Sequence, residues 1–229
     1  MQKIRLLVVD DHNVVRGGLL ALLTAEPDLE IVGEATSGRQ AVALAHSLRP
    51  QVVIMDLAMP RLNGMEATRQ IASSLPSTKV IVLSAYQDDY HVRQAVVAGA
   101  AGFVLKRAAS VELVEAIREV HRGEAYFSAA VMRQVQRMYS ALNELSETDN
   151  SAADVELTGR EAEVLQLVAE GFPSKLIADE LGLSIKTVEK HRQTLMDKLN
   201  LHCTADLVRY AANKGIIEAV SLERVLTTA

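Results

Sequence analysis

Five polar side chains in this 229-residue chain have the types and spacing to do chemistry together: the adjacent carboxylates Asp10 and Asp11, a third carboxylate at Asp56, the hydroxyl of Ser84 and the ammonium of Lys106. Each follows a short apolar run. Three carboxylates brought into one crevice repel, and a hard divalent cation such as Mg2+, which favours oxygen ligands, supplies the counter-charge. With that cation present, Asp56 can act as a nucleophile on a phosphoryl group, while Lys106 and Ser84 donate to its oxygens. The chemistry implied is an aspartyl phosphate. Taken singly, an Asp after a strand is ordinarily a turn former or helix cap, Ser84 a cap and Lys106 a solvated charge. The recurrence at four strand ends carries the reading.

The elements that must position these groups follow from periodicity. The β-branched runs Ile4–Val9, Glu30–Glu34, Val52–Met55, Val80–Leu83 and Gly102–Leu105 alternate with segments of helical apolar spacing, such as Val14–Thr24 and Val111–His121. That alternation predicts right-handed βαβ units and an α/β doubly wound, five-stranded parallel sheet, in which ligands bind beyond the carboxyl ends of the strands. After Gly123 the pattern turns to helix alone. Ser128–Leu145 suits one helix, and residues 146–154 (SETDNSAAD) read as a polar linker. Three segments are therefore expected: 1–123, a helical linker over 124–154, and an all-α domain over 155–229.

Composition excludes several classes. With 49% hydrophobic and 23% charged residues the chain is globular rather than disordered. The lone Cys203 forms no internal disulfide and no thiolate zinc cage, and no run approaches the ~18 apolar residues of a membrane span. A soluble, cytoplasmic protein with no membrane partner is expected. The net charge is −5, and residues 151–229 hold nine Lys/Arg against twelve Asp/Glu, so bulk attraction to nucleic acid is absent.

Local pattern in the last third nevertheless points to DNA. Thr158 and Glu161 are spaced as a capping box with Leu157 as the preceding half of a hydrophobic staple, and Gly171 can end that helix. Ser174 is placed to cap a short helix through Leu181, Gly182-Leu183 to turn, and Ser184 to cap a longer helix to about Leu199. Short helix, glycine turn, longer helix is the helix-turn-helix plan. On the longer helix Val188, Leu195 and Leu199 share one face. Lys186, Glu189, Lys190 and Gln193 share another and suit base edges, while His191, Arg192 and Lys198 lie near enough for phosphate. A solvated amphipathic face is the plainer reading of the same charges. His12, His46, His91, His121 and His202 show no ligand spacing with one another and read as surface or local hydrogen-bonding residues, and Cys203 as packing.

With these residues in view, about 120 N-terminal residues resemble the receiver domain of two-component response regulators, a flavodoxin-like fold. The motifs are VVDDH (Val8–His12), DLAMPRLNG (Asp56–Gly64), Ser84-Ala85 and GAAGFVLK (Gly99–Lys106). The resemblance implies that Asp56 is the phosphoacceptor, served by a sensor histidine kinase. It implies that Asp11, Asp56 and the backbone carbonyl of Ala58 bind Mg2+, with Asp10 assisting through water. Ser84 is then the switch hydroxyl and Phe103 the aromatic that changes rotamer with it. Arg107 stands where many receivers have proline, and Phe103 where tyrosine is commoner.

Leu157–Gly171 and Lys175–Asn200 resemble the LuxR-type helix-turn-helix of the NarL/FixJ branch. That resemblance implies contacts from Thr187, Lys190 and His191 to double-stranded promoter DNA, with Glu189 where lysine is frequent and Phe172-Pro173-Ser174 departing from the usual polar entry. It also implies a homodimer on phosphorylation, using the helix predicted over Thr204–Lys214. A phosphatase built on the same aspartate would need an acid two residues on, where this chain has Ala58, so a dedicated enzyme is not expected. A regulator of this architecture that answers to a ligand rather than phosphate is the remaining alternative.

Overall fold

β-Branched residues flanked by glycine and proline turns favour extended backbone, and here they do so in parallel. A computed structural model describes residues 3–85, 89–127, 131, 157–201 and 203–217, which fall in two units. The first runs β1 (Ile4–Val9), α1 (Asn13–Thr24), β2 (Leu29–Ala35), α2 (Gly38–Leu48), β3 (Val52–Asp56), α3 (Gly64–Ser74), β4 (Lys79–Ser84), α4 (Asp89–Val97), β5 (Gly102–Leu105), α5 (Ala109–His121) and β6 (Tyr126–Phe127). A single 3-10 turn, Lys106–Ala108, joins β5 to α5.

The sheet order is β2-β1-β3-β4-β5-β6, with every pair parallel. Leu6 to Val9 and Val52 to Met55 are fully buried, as a sheet covered by helices on both faces requires. On one face Leu19 and Leu23 of α1 meet Leu113, Ala116, Ile117 and Val120 of α5 over Ile4, Leu6, Ile54 and Ile81. On the other, Val92 and Ala95 of α4 pack with Val82, Phe103 and Leu105.

The sheet has six strands where five were expected. The extra one is β6, whose Tyr126 N–H donates to Ala101 O at 3.0 Å and whose Phe127 pairs Phe103 in register. Two residues are too few to show the alternation by which a strand is recognised in sequence.

The second unit holds α6 (Gly159–Ala169), α7 (Ser174–Leu181), α8 (Ile185–Leu199) and α9 (Thr204–Asn213). The capping box forms: Thr158 Oγ1 accepts from Glu161 N–H at 3.3 Å while Glu161 Oε2 accepts from Thr158 N–H at 2.9 Å. Lys198 Nζ reaches the same Glu161 oxygen at 2.8 Å. Burial works against the Glu161 carboxylate, but Lys198 and the Thr158 bonds outweigh it and hold its pKa below the ordinary value. Gly171 and Gly182 take φ of 86° and 63°, the left-handed conformation that lets one helix stop and the next begin within a few residues.

One cap differs from expectation. Pro173, not Ser174, is the N-cap of α7; Ser174 is its first helical residue, and its hydroxyl accepts from Arg192 Nη1 at 2.9 Å. Proline at φ −68°, ψ 153° already holds the extended backbone that a cap position needs, and its carbonyl accepts from Ile177 N–H. The helix predicted over Ser128–Leu145 and the linker over 146–154 lie outside the described residues. Among the described residues no helix is long and apolar enough to cross a membrane.

Candidate functional site

The strand order reverses between β1 and β3: the chain leaves β1 toward β2 on one side, then returns to β3 on the other. In open α/β sheets the crevice at that reversal, beyond the strand carboxyl ends, is where ligands bind. Asp10 and Asp11 follow β1 and Asp56 ends β3, so the topology brings all three carboxylates to that crevice. Their ligand atoms, with His12 Nδ1, lie within 4.8 Å of one another. Lys106, at the end of β5, reaches in from the other side, with Nζ 3.0 Å from Asp10 Oδ2 and 2.8 Å from Asp56 Oδ2.

Asp10 is held rigidly. Its Oδ1 accepts from His12 N–H at 2.8 Å and its carbonyl from Arg16 Nη1 at 2.8 Å. By contrast Asp10 Oδ2 and Asp56 Oδ2 are buried with Lys106 Nζ as their ion-pair partner, and Asp11 Oδ1 is buried beside His12 Nδ1 at 3.0 Å. One ammonium against three clustered carboxylates leaves the group short of positive charge. The donor set therefore fits a hard divalent cation, and the cluster can hold a metal ion.

The remaining expected groups are placed as follows. Ser84 ends β4 one residue beyond Leu83, which pairs Asp56, and is buried. Phe103 is fully buried among Leu57, Val82, Val92, Ala95 and Leu105. Ala58 is half-buried, two residues past Asp56. Gly64 opens α3 with its N–H donating to Leu57 O at 2.9 Å. A Cβ on Gly64 would stand 1.8 Å from the backbone oxygen of Asp56. Gly64 is thus required for close approach, a role its place in the motif did not disclose. His12, read from sequence as a surface or local hydrogen-bonding residue, is half exposed and stands with its Nδ1 3.0 Å from Asp11 Oδ1.

Burial pushes the Asp56 carboxyl up to about 6; Lys106 offsets part of this, and the charges of Asp10 and Asp11 add to it. Burial also opposes the Lys106 ammonium, but its contacts with Asp56 and Asp10 prevail and hold its pKa above the ordinary value. Because Asp56 binds its proton more tightly folded than unfolded, stability falls as pH rises from about 4 to about 6, and above that the whole cost is present. At about 1.4 kcal/mol per pH unit that cost is on the order of 3 kcal/mol. Asp56→Asn is accordingly expected to melt higher than the unaltered protein at pH 7.5 in chelator, with the difference vanishing toward pH 4. Calorimetry across that range checks it; an Asn variant less stable at pH 7.5 would refute the assignment.

In the helical unit, α8 turns Val188 and Leu195 into the core and leaves Lys186, Glu189, Lys190 and Gln193 exposed, with Thr187 and His191 partly covered. Gln193 Nε2 donates along the helix to Asp197 Oδ1 at 2.8 Å. Two of the cations considered for phosphate have structural partners: Lys198 holds Glu161, and Arg192 Nη2 donates to Thr204 Oγ1 at 2.8 Å as well as binding Ser174. Sequence spacing gave no sign of these long-range bonds.

Comparison with known proteins agrees with both units. Residues 6–118 match the response regulator receiver domain, and residues 155–211 match the bacterial regulatory proteins of the luxR family. Response regulator protein VraR of Staphylococcus aureus is 36% identical over 215 residues, covering 94% of this chain and 99% of that protein. Among solved structures, the RcsB response regulator of Salmonella typhimurium is similar at TM-score 0.62 and 26% identity, over 93% of this chain and 99% of that one. A two-component response regulator RcsB–DNA complex is similar at TM-score 0.55 and 26% identity, over 92% and 98%. With a receiver domain and a luxR-type regulatory domain in one chain, related to VraR along nearly its whole length, the protein belongs to the two-component response regulators that control transcription.

Proposed function

We propose that a sensor histidine kinase transfers a phosphoryl group to Asp56, and that the aspartyl phosphate favours a homodimer that binds double-stranded promoter DNA in the cytoplasm. The observation that carries this reading is the buried Asp56 carboxylate at the strand reversal, with Lys106 Nζ 2.8 Å away and two further carboxylates beside it. An Asp56 oxygen attacks phosphorus, the P–N bond of the phosphohistidine breaks, and the imidazole leaves with the bonding pair. Mg2+ held by Asp11, Asp56 and the Ala58 carbonyl, with Asp10 behind them, would neutralise the charge that builds on the phosphoryl oxygens. Lys106 exchanges its carboxylate partners for the phosphoryl group, and the Ser84 hydroxyl turns to donate to it.

Phosphate adds up to two negative charges at the carboxyl edge of the sheet, and a shift of Ser84 there alters the space beside Phe103. Phe103 pairs Phe127 of β6, so a movement of the ring is felt by the strand that leads toward residue 128 onward. The DNA-facing residues are Lys186, Thr187, Glu189, Lys190, His191 and Gln193 on α8. Support for a dimer on DNA comes from a structure of two RcsB dimers bound to two parallel DNAs, whose chain is 26% identical over 92% of this one. The chain is not a dedicated phosphatase, since Ala58 offers no acid to a hydrolytic water.

The test is intact mass, native mass and DNA mobility shift on the full chain and on Asp56→Ala, each with acetyl phosphate and Mg2+. Only the unaltered chain is expected to gain one phosphoryl mass, dimerise and bind DNA more tightly. An unchanged mass, or an equal response from Asp56→Ala, would place the signal elsewhere.

A further inference from the structure

We propose that Ile185, the first residue of α8, reads thymine in the major groove by packing its side chain on the C5-methyl group, and so helps to set which sequence the protein binds. The inference rests on the reading of α8 as the DNA-facing helix. It goes beyond that reading by adding a residue outside the polar set and by naming the base feature it recognises.

Leu183 and Ile185 stand on either side of the cap residue Ser184, and the fold treats them differently. Leu183 is half-buried and packs against the helical core, whereas Ile185 keeps 45% of its surface exposed. Single exposed apolar side chains are ordinary on a protein surface, so it is position that distinguishes this one. Ile185 lies one helical turn before Glu189 and two before Gln193, which places the three in one stripe, with Lys186 and Lys190 beside it. An apolar residue thus heads a row of groups suited to base edges. It does so at the N-terminal turn, by which a recognition helix meets the bases.

The make-up of that turn is a second observation. A helix N-terminus favours Asp or Glu and disfavours cations, yet the first turn of α8 has no acidic residue and carries Ile185 and Lys186 instead. Neither helps the helix on its own, and both suit a duplex. Lys186 can meet phosphate or guanine, and Ile185 can meet the apolar group that the major groove presents, the C5-methyl of thymine.

The turn is also held in place. Ser184 Oγ accepts from Thr187 N–H at 3.1 Å, and the two hydroxyls lie 2.7 Å apart, so the backbone on both sides of Ile185 is fixed. A β-branched side chain in a helix keeps largely to one rotamer, and little freedom is lost when it meets the methyl.

Full-length protein, with and without acetyl phosphate and Mg2+, is used to select duplexes from a random-sequence library. Each thymine of the selected site is then replaced by deoxyuridine, which lacks only the methyl, and affinity is read by fluorescence anisotropy. One thymine per half-site is expected to matter: its replacement in both half-sites should weaken binding ~15-fold, about fourfold for each methyl buried against an apolar side chain. In Ile185→Ala the same replacement should cost less than about twofold. Leu176→Ala, which removes an exposed apolar side chain from α7 instead, should keep the full penalty. The Ile185→Ala variant is checked by its melting temperature, and the deoxyuridine scan of the unaltered chain tests the proposal without any variant. A selected site in which no thymine depends on its methyl overturns the proposal. An equal penalty in Ile185→Ala overturns it too, and would leave Ile185 a plain surface residue or a contact for another protein. Enrichment of no sequence over bulk DNA would overturn the DNA reading of α8 itself, and this inference with it.

Discussion

Gly64→Ala is expected to lower the stability of the sheet unit by about 3 kcal/mol or more and to slow phosphoryl acceptance by ~100-fold. The added Cβ would lie 1.8 Å from the backbone oxygen of Asp56 and 2.7 Å from its carbonyl carbon. Neither neighbour is the end of a flexible side chain, so the backbone at the acceptor must move by more than 1 Å to restore contact distance. Overpacking of a well-packed site costs ~1–3 kcal/mol, and more when backbone must yield. A misplacement of about 1 Å at a reacting group costs ~100-fold in rate. Gly17→Ala and Gly18→Ala are the controls. Both lie inside α1 with nothing within 4 Å of the new Cβ, and alanine there should stabilise by roughly 0.5–1 kcal/mol. Calorimetry and the rate of mass gain from acetyl phosphate read both effects. If Gly64→Ala behaved like the α1 controls, the close approach would have no role.

The contrast among these glycines shows what a sequence discloses and what it does not. β1 and β5 were legible to the residue, and the other strands to within a residue or two, because a strand buried on both faces is a continuous β-branched run. Once the strand order follows, so does the meeting of Asp10, Asp11, Asp56 and Lys106, for each sits at a carboxyl end. Ser184 was legible as a cap because capping is local and has a residue signature. What escaped were relations that depend on approach across the fold. Gly64 against the Asp56 carbonyl, Lys198 on Glu161 and Arg192 between Ser174 and Thr204 join residues 8 to 37 positions apart with no periodicity to mark them. β6 was missed for a different reason, since its two residues are too few to show an alternation.

Lys106→Met is the substitution with the largest electrostatic consequence. It keeps an apolar stem of similar length and removes the ammonium that stands 3.0 Å from Asp10 Oδ2 and 2.8 Å from Asp56 Oδ2. Both carboxylates are almost wholly buried, and breaking a buried pair from one side costs ~3–5 kcal/mol because a charge is left without compensation. Lys106 itself is 23% exposed, and water reaching the site trims this to about 3 kcal/mol at pH 8 in chelator. Protonation limits the damage. With Lys106 gone, the folded pKa of Asp56 rises further above about 6, so the native state of the variant binds a proton at a higher pH than the unaltered protein does. Its stability should therefore recover as pH falls through that raised value, and the deficit should be small by about pH 5. A divalent cation supplies the missing charge by another route. Stabilisation by a bound ion grows as RT ln(1 + [ion]/Kd), and removing the competing ammonium tightens Kd, so saturating cation should raise the melting temperature of Lys106→Met more than that of the unaltered chain. Lys106 and the cation would then compete for the same carboxylates. Equal cation effects on the two proteins would mean that they do not share those oxygens, and that Lys106 is free to meet a phosphoryl group without first giving anything up.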